Sequence, residues 1–478
     1  MARDKLNKAE VARASGTKAD SDAATSSATG RDAFPLLTDL VGPDAVPLFV
    51  ENLRRGSKPA REWMCGVEFE LFGYDTRRDY ARLSPAQVQR VLAGFAPSSN
   101  DLVYEGRTLI EVNAGQMNRL TVEPGGQIEF SGAPQRKLAD VEREIRRYLA
   151  RLSEIADAHG FVFLAVGFDP LHTIEAQQWF PKSRYDVMRP YLARRGARAW
   201  DMMTRTCAVQ TNLDYGDEED LRKKFLVGNR LAPIVAAMFA NSPFEHGKPS
   251  GYKSTRTAAW LATDPDRTGI SPPALTDDFT PERFVRYALD VPMLFAQRDG
   301  FYFDGPTGLR FGDFLAHGCP HIQPVFGDWA DHLTTLFTDA RLKQHIELRS
   351  ADCGTLEMAL ALQALWRGLL YDADTLNAAL YFAPKLDHTA ALELRAAVAR
   401  EGLAARASGV NVLALAKEMI ALASAGLARI APEEVSYLDG LRAQIVSEGI
   451  CPADILLRNW HGSWQGFMPR VVEHLRIA

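Results

Sequence analysis

At 478 residues, 46% hydrophobic and 24% charged, the chain has ample apolar surface for a large core, which excludes general disorder. A formal charge of −5 with arginines interspersed among acids gives no basis for a nucleic-acid or anionic-membrane partner, and no apolar run of about 18 residues suggests a membrane span. Five scattered cysteines without a Cys-x-x-Cys pair point to a reducing compartment, assigned at this level to the cytoplasm.

Residues 1–32 are rich in Ala, Ser, Thr, Asp and Lys and read as a disordered tail, with neither the apolar centre of a secretory signal nor the acid-poor composition of a transit peptide. Residues 34–60 read as helical. The strand Cys65–Phe72 follows, with Val67, Phe69 and Leu71 on one face and Glu68 and Glu70 on the other. Arg107–Val112 and Met117–Val122 flank Asn113-Ala114-Gly115-Gln116, the pattern of a hairpin. Its second strand runs into Glu123-Pro124-Gly125-Gly126-Gln127-Ile128-Glu129, a bend inside an extended run. From Lys137 to Ala156 an apolar stripe of Leu138, Val141, Ile145, Leu149 and Leu152 predicts an amphipathic helix. Strands are expected at Phe161–Val166, Cys207–Leu213 and His345–Arg349, and almost pure helix from Thr355 onward. Hairpins and irregular excursions instead of βαβ alternation predict an α+β fold with an antiparallel sheet and a helical C-terminal layer, residues 33–478 forming one catalytic unit.

Among chemical motifs the sequence has no Gly-x-x-x-x-Gly-Lys-Ser/Thr loop, no Gly-x-Gly-x-x-Gly, no His-Glu-x-x-His and no Gly-x-Ser-x-Gly. Ten histidines are spread too thinly for a zinc cluster. Carboxylates and arginines on strands remain. Glu68 and Glu70 share a face, as do Gln127 and Glu129, and the Pro-Gly-Gly bend can turn Glu123 toward the same space. Crowded carboxylates keep their charge only when a cation compensates, which suggests a hard cation of the magnesium type and phosphoryl transfer. Arg205, Arg256 and Arg349 are then candidates for holding phosphate or a substrate carboxylate. Solvated strand acids and surface-paired arginines are the competing interpretation, and Gly125-Gly126 serves a bulge as readily as a phosphate.

Longer segments carry a resemblance. Val122–Pro134, Arg184-Tyr185-Asp186-Val187-Met188-Arg189, Asp201–Asp214, Phe239–Phe244, Tyr287–Met293 and Asp328–Thr335 occur in the order found in glutamate–cysteine ligases of the plant and proteobacterial type, which the chain resembles from Gly66 almost to its end. The resemblance implies a glutamine-synthetase-like fold, a curved antiparallel sheet forming a funnel for ATP, magnesium and glutamate. It implies metal-binding roles for Glu68, Glu70, Glu123, Glu129 and Glu347. Substrate or phosphate contacts are implied for Arg205, Arg256 and Arg349, with Gln127 a further candidate and Trp329 lining a glutamate pocket. The implied reaction joins the γ-carboxylate of glutamate to the amine of cysteine through a γ-glutamyl phosphate, the first step of glutathione biosynthesis, in a monomer or homodimer.

Two departures stand out. The family's first motif reads Gly-Thr-Glu-His-Glu-Lys-Phe-Gly-Phe, whereas Phe69 and Leu71 here replace the His and the Lys. This raises the alternative of a ligase of the same fold with another amine acceptor; a silent ligand-binding paralogue is a separate alternative, against which the retention of all five candidate carboxylates argues. The plant enzymes also carry a redox-sensitive hairpin disulfide; its later cysteine corresponds to Cys319, but its earlier position falls around Gly305, so that bridge is not expected.

Overall fold

The computed structural model describes residues 34–115 and 118–478. The tail 1–32, Gln116 and Met117 lie outside that range, and with them the expectation of a disordered tail. Nine strands matter for the site: β1 (Cys65–Asp75), β2 (Leu102–Glu105), β3 (Thr108–Asn113), β4 (Arg119–Val122), β5 (Ile128–Ser131), β6 (Phe161–Leu164), β7 (Ala208–Leu213), β8 (Ala340–Leu342) and β9 (Ile346–Asp352). They build an antiparallel sheet in the order β8-β9-β7-β1-β5-β4-β3-β2. Strand β6 and the short pair Ala81–Arg82 join the far end of β1. The α+β architecture with an antiparallel sheet is therefore as expected.

Strand β1 is the spine of the sheet, and over Val67–Leu71 its burial alternates. Val67, Phe69 and Leu71 are fully buried behind the sheet, while Glu68 and Glu70 keep partial access on the front. Behind it lie the helix Leu138–His159, which buries Leu138, Val141, Ile145 and Leu152, and the helix Leu356–Leu370. Phe69 and Leu71 thus face core. Their apolar character fits packing and leaves the front face untouched.

The helix expected over 34–60 is only Val46–Arg54. Pro35 and Gly42-Pro43 interrupt what precedes it, and Pro47 sits in its first turn, where a missing N–H costs nothing. Beyond Thr355 the chain is helical apart from the short hairpin Arg406–Ala407 with Val410–Asn411, as predicted. Among the described residues no helix is long and apolar enough to cross a membrane.

Candidate active site

The front of the sheet is the floor of a cavity of about 320 Å³. Register decides what it presents. Glu70 lies directly opposite Glu129, and Glu129 opposite Thr121; Glu68 lies opposite Gln210 on one side and Ser131 on the other. Like charges directly across a ladder repel, so a Glu70–Glu129 pair is a cost the fold carries for a reason other than stability. Glu123 joins them at the cavity wall through the bend.

That bend is a three-residue hairpin loop. Glu123 N donates to Gln127 O and Gly126 N to Glu123 O, both at 2.9 Å, with Gly126 at φ 76°. Gly125 serves a close approach: a Cβ there would lie 2.4 Å from Thr204 O. Arg82 clamps the loop from behind, donating to Gly125 O at 2.9 Å and to Asp169 at 3.2 Å. Burial pushes the Asp169 carboxyl up, but His172, Arg82 and the Leu171 amide together hold it well below the usual range. The two glycines are thus accounted for by a turn and by packing.

The acids are desolvated and mutually repelled. Burial, then Glu123, pushes Glu70 up to about 8, against the pull of Arg256 and the Ala208 amide. Burial and Glu347 raise Glu68. Burial followed by Glu68, Glu123 and Glu70 raises Glu129 well above an ordinary carboxyl. Their side chains are tethered along the sheet: Glu70 accepts from Ala208 N (2.7 Å) and Gln210 Nε2 (3.1 Å), Glu68 from Asn212 Nδ2 (2.9 Å), and Glu129 from Thr121 and Ser131. Among the described residues no three His, Cys, Asp or Glu side chains are arranged to hold a metal ion as they stand. The chemistry of the donor set nevertheless fits a hard cation: all-oxygen ligands whose ionisation is unfavourable without compensating positive charge.

Beside these acids stands a basic wall. Lys182, Arg184, Arg256, Arg341, Lys343 and Arg349 all line the cavity. Burial, then Arg184, lowers Lys182. Arg256 reaches across to Arg349 O (2.7 Å) and Ser350 O (3.2 Å), and burial lowers its pKa. Arg349 donates to Gln210 Oε1 at 2.6 Å.

Four expected residues sit differently from the sequence expectation. Glu347 is fully buried behind the basic wall and does not line the cavity; Arg341, Lys343 and Arg349 saturate both of its oxygens, and despite burial these cations hold it well below its usual range. Trp329 does not line the cavity: on the helix Phe326–Thr334 it faces inward, stacks on Phe49 at 4.4 Å and donates to Asn52 Oδ1. Arg205 points away from the cavity, pairing with Asp201 (2.7 Å) and Glu245 (3.2 Å) over the Phe168 ring. Gln127 touches the cavity but spends its amide bracing the bend, accepting from Gly125 N and donating to Met203 O and Thr206 O. Lys182, Arg184, Arg341 and Lys343 also line the cavity, and sequence reasoning missed them. The alternation of Arg341 and Lys343 with apolar residues in the hairpin leading to Glu347 was the available signal.

The model of glutamate–cysteine ligase family 2 matches residues 64–474. The chain belongs to that family. Among its relatives, the chloroplastic glutamate–cysteine ligase of Brassica juncea is 38% identical over 430 residues, 89% of this chain and 83% of that protein. The chloroplastic enzyme of Arabidopsis thaliana is 38% identical, covering 89% of this chain and 82% of its own length. A crystal structure of the Francisella tularensis glutamate–cysteine ligase in complex with AMP superposes with a TM-score of 0.53 at 14% identity, covering 86% of this chain and 87% of that one, a likeness of fold. The assignment to the cytoplasm does not stand, because the named relatives of this family member are chloroplastic proteins. All five cysteines are free, but free thiols speak to redox conditions and do not single out one reducing compartment.

Proposed function

We propose that this chain is an ATP-dependent ligase that joins the γ-carboxylate of glutamate to the amine of cysteine, the first step of glutathione biosynthesis, and that residues 33–478 act as one catalytic unit. The observation that carries the proposal is the cavity itself: four glutamates and six cationic side chains line it together, within a chain of the ligase family. Such a cleft suits a polyanionic nucleotide held by arginines and lysines, and its carboxylates would hold a divalent metal that offsets the phosphate charge.

Glu68, Glu70, Glu123 and Glu129 would hold Mg²⁺, joined by Glu347 on release of its cationic partners. When bound, the metal supplies neutralising charge for the nucleotide phosphates. The chain's own residues do the rest. Arg256, Arg349, Arg341 and Lys343 offer donors to the oxygens of the transferring phosphoryl group, where charge spreads in the transition state. The γ-carboxylate oxygen of glutamate attacks the γ-phosphorus, ADP leaves, and an acyl phosphate remains. The cysteine amine then attacks the acyl carbon, loses a proton and expels phosphate. The apolar part of the wall, Tyr185, Met188, Met202, Met203, Trp260 and Phe337, limits water that would otherwise hydrolyse the acyl phosphate. Because Phe69 and Leu71 lie behind the sheet, neither argues for a different acceptor.

The test is purified protein with ATP, Mg²⁺, glutamate and a panel of amines, read by phosphate release and product mass. Cysteine-dependent γ-glutamylcysteine is the expected result. Phosphate release with another amine and not with cysteine would refute the acceptor, and no release with any amine would refute the activity.

A further inference from the structure

Arg349 lines the cavity from a backbone held on two sides. The pairing of β9 with β7 shifts register between Leu348 and Ala351, leaving Arg349 and Ser350 unpaired at a bulge. Bulges beside active sites re-aim side chains, but a bulged peptide needs other partners for its N–H and C=O. Arg256 supplies one side, donating to Arg349 O and Ser350 O. Asp339 supplies the other: its carbonyl accepts Arg349 N at 2.9 Å.

Asp339 is itself pinned from the C-terminal helical layer. Its amide donates to Gly269 O at 2.8 Å, and its carboxylate accepts from Arg395 Nη2 at 3.0 Å. Arg395 comes from the helix His388–Glu401 and is 6% exposed. Its guanidinium passes so close to Gly269 that a Cβ there, at φ 99°, would stand 2.1 Å from Arg395 Nη1. The path from helix to bulge exists only because residue 269 has no side chain.

Resting on the ligase reading above, we propose that Arg395 is a positioning residue for Arg349: through Asp339 it fixes the bulged peptide that aims the Arg349 guanidinium into the cavity, and Gly269 is the gap it reaches through. Arg395 touches no substrate in this scheme. Its loss lets the Asp339 turn relax and moves Arg349 off its geometry, and a displacement of about 1 Å can cost up to about a hundredfold in rate.

The experiment measures kcat and KM for ATP and glutamate in Arg395→Ala, Gly269→Ala, Arg349→Ala and the double variant Arg349→Ala/Arg395→Ala, with folding checked by circular dichroism. Arg429→Ala, which removes another ion pair of the helical layer, that with Asp372, is the control. Arg395→Ala should lose at least about tenfold in kcat, recover part of it with added guanidinium ion, and cost nothing further once Arg349 is gone, because the two act as one unit. Gly269→Ala should reproduce the loss with Arg395 still present, which keeps the test decisive if Arg395→Ala folds poorly. Losses no greater than in Arg429→Ala, or losses that multiply in the double variant, would overturn the proposal. Wild-type protein that releases no phosphate would instead refute the ligase reading, so the two failures are separable.

Discussion

Gly125→Ala tests whether the hairpin bend sets the geometry of the acidic floor. The added methyl would lie 2.4 Å from Thr204 O and 2.7 Å from Thr204 Cα. Ordinary contacts between such atoms fall near 3.5 Å, so roughly 1 Å must be made up. Neither side yields easily. Thr204 belongs to the buried helix Ala199–Arg205, and the loop is held by Arg82 on Gly125 O and by Phe180 N on Pro124 O. Overpacking of this kind costs about 1–3 kcal/mol of stability. The larger consequence is positional: Glu123 and Glu129 flank the bend, and shifting them by part of an ångström should lower kcat by about 10- to 100-fold while secondary structure persists. Steady-state phosphate release at saturating ATP and Mg²⁺, alongside urea denaturation, separates the two effects. Gly440→Ala, where nothing lies within 4 Å of the new methyl, is the control. A Gly125→Ala protein with kcat within about twofold of wild type would refute the claim that this bend positions the acids.

Glu129→Gln keeps the shape but removes one carboxylate from the floor; about 3 kcal/mol of barrier, near a hundredfold in rate, is expected along with a higher Mg²⁺ requirement, and unchanged Mg²⁺ titration curves would contradict the metal assignment. His332, fully desolvated against Phe311 and lowered to about 3, stays neutral in the native state while the unfolded chain protonates near 6.5. Between those values the unfolded state binds the extra proton, so this stabilisation is complete above about pH 6.5 and is lost as pH falls toward 3, by up to roughly 5 kcal/mol; His332→Gln should flatten that part of the stability–pH curve, and an unchanged slope would count against it. At Gly305 an added Cβ would stand 3.2 Å from Cys319 Sγ, near the roughly 3 Å across a disulfide. Gly305→Cys should therefore oxidise to an intramolecular bridge worth about 3 kcal/mol, visible as two lost thiols and a higher midpoint, and thiols that stay free under oxidant would refute the geometry. Trp329→Ala should cost about 3–5 kcal/mol of stability as a core deletion with KM for glutamate unchanged in the folded protein; a selective rise in that KM would restore a pocket role.

What could be read from sequence, and what could not, follows from the range of the forces involved. Alternation in Cys65–Leu71 assigned faces correctly, because a strand buries every second residue whatever lies across from it. Glu68 and Glu70 therefore reached one cavity, where Glu129, paired across from Glu70, and Glu123, on the bend, join them. Helical periodicity located Leu138–His159 for the same reason. Facing could not be inferred for residues on short helices. Trp329 and Arg205 sit in segments where one side of the helix is core and the other is not, and nothing local says which. The Pro-Gly-Gly bend was legible as a bend, but that Gly125 yields to Thr204 depends on a contact 79 residues away, as the tether from Gln127 to Thr206 does.

The basic wall was the least legible part, and its construction explains why. Arg341 and Lys343 come into play only because the β8–β9 hairpin places Arg341 directly opposite Glu347, and the acid then gathers both with Arg349 around one buried carboxylate. A glutamate held by three cations has its negative charge locally compensated, yet Glu347 still raises Glu68, while Lys343 and Arg349 pull it down. Burying Glu347 with no partner would be prohibitive, and burying three cations with no carboxylate equally so. The wall is stable only as a cluster, and the alternation of Arg341 and Lys343 with apolar residues is its one local trace in the sequence. The same clustering bears on metal binding: if Glu347 joins the metal, its cations must find new acceptors, and a nucleotide's phosphates are such acceptors. Nucleotide and metal binding should then be mutually reinforcing. Isothermal titration that found Mg²⁺ affinity unaffected by a non-hydrolysable ATP analogue would break that linkage and leave Glu347 a purely structural anchor.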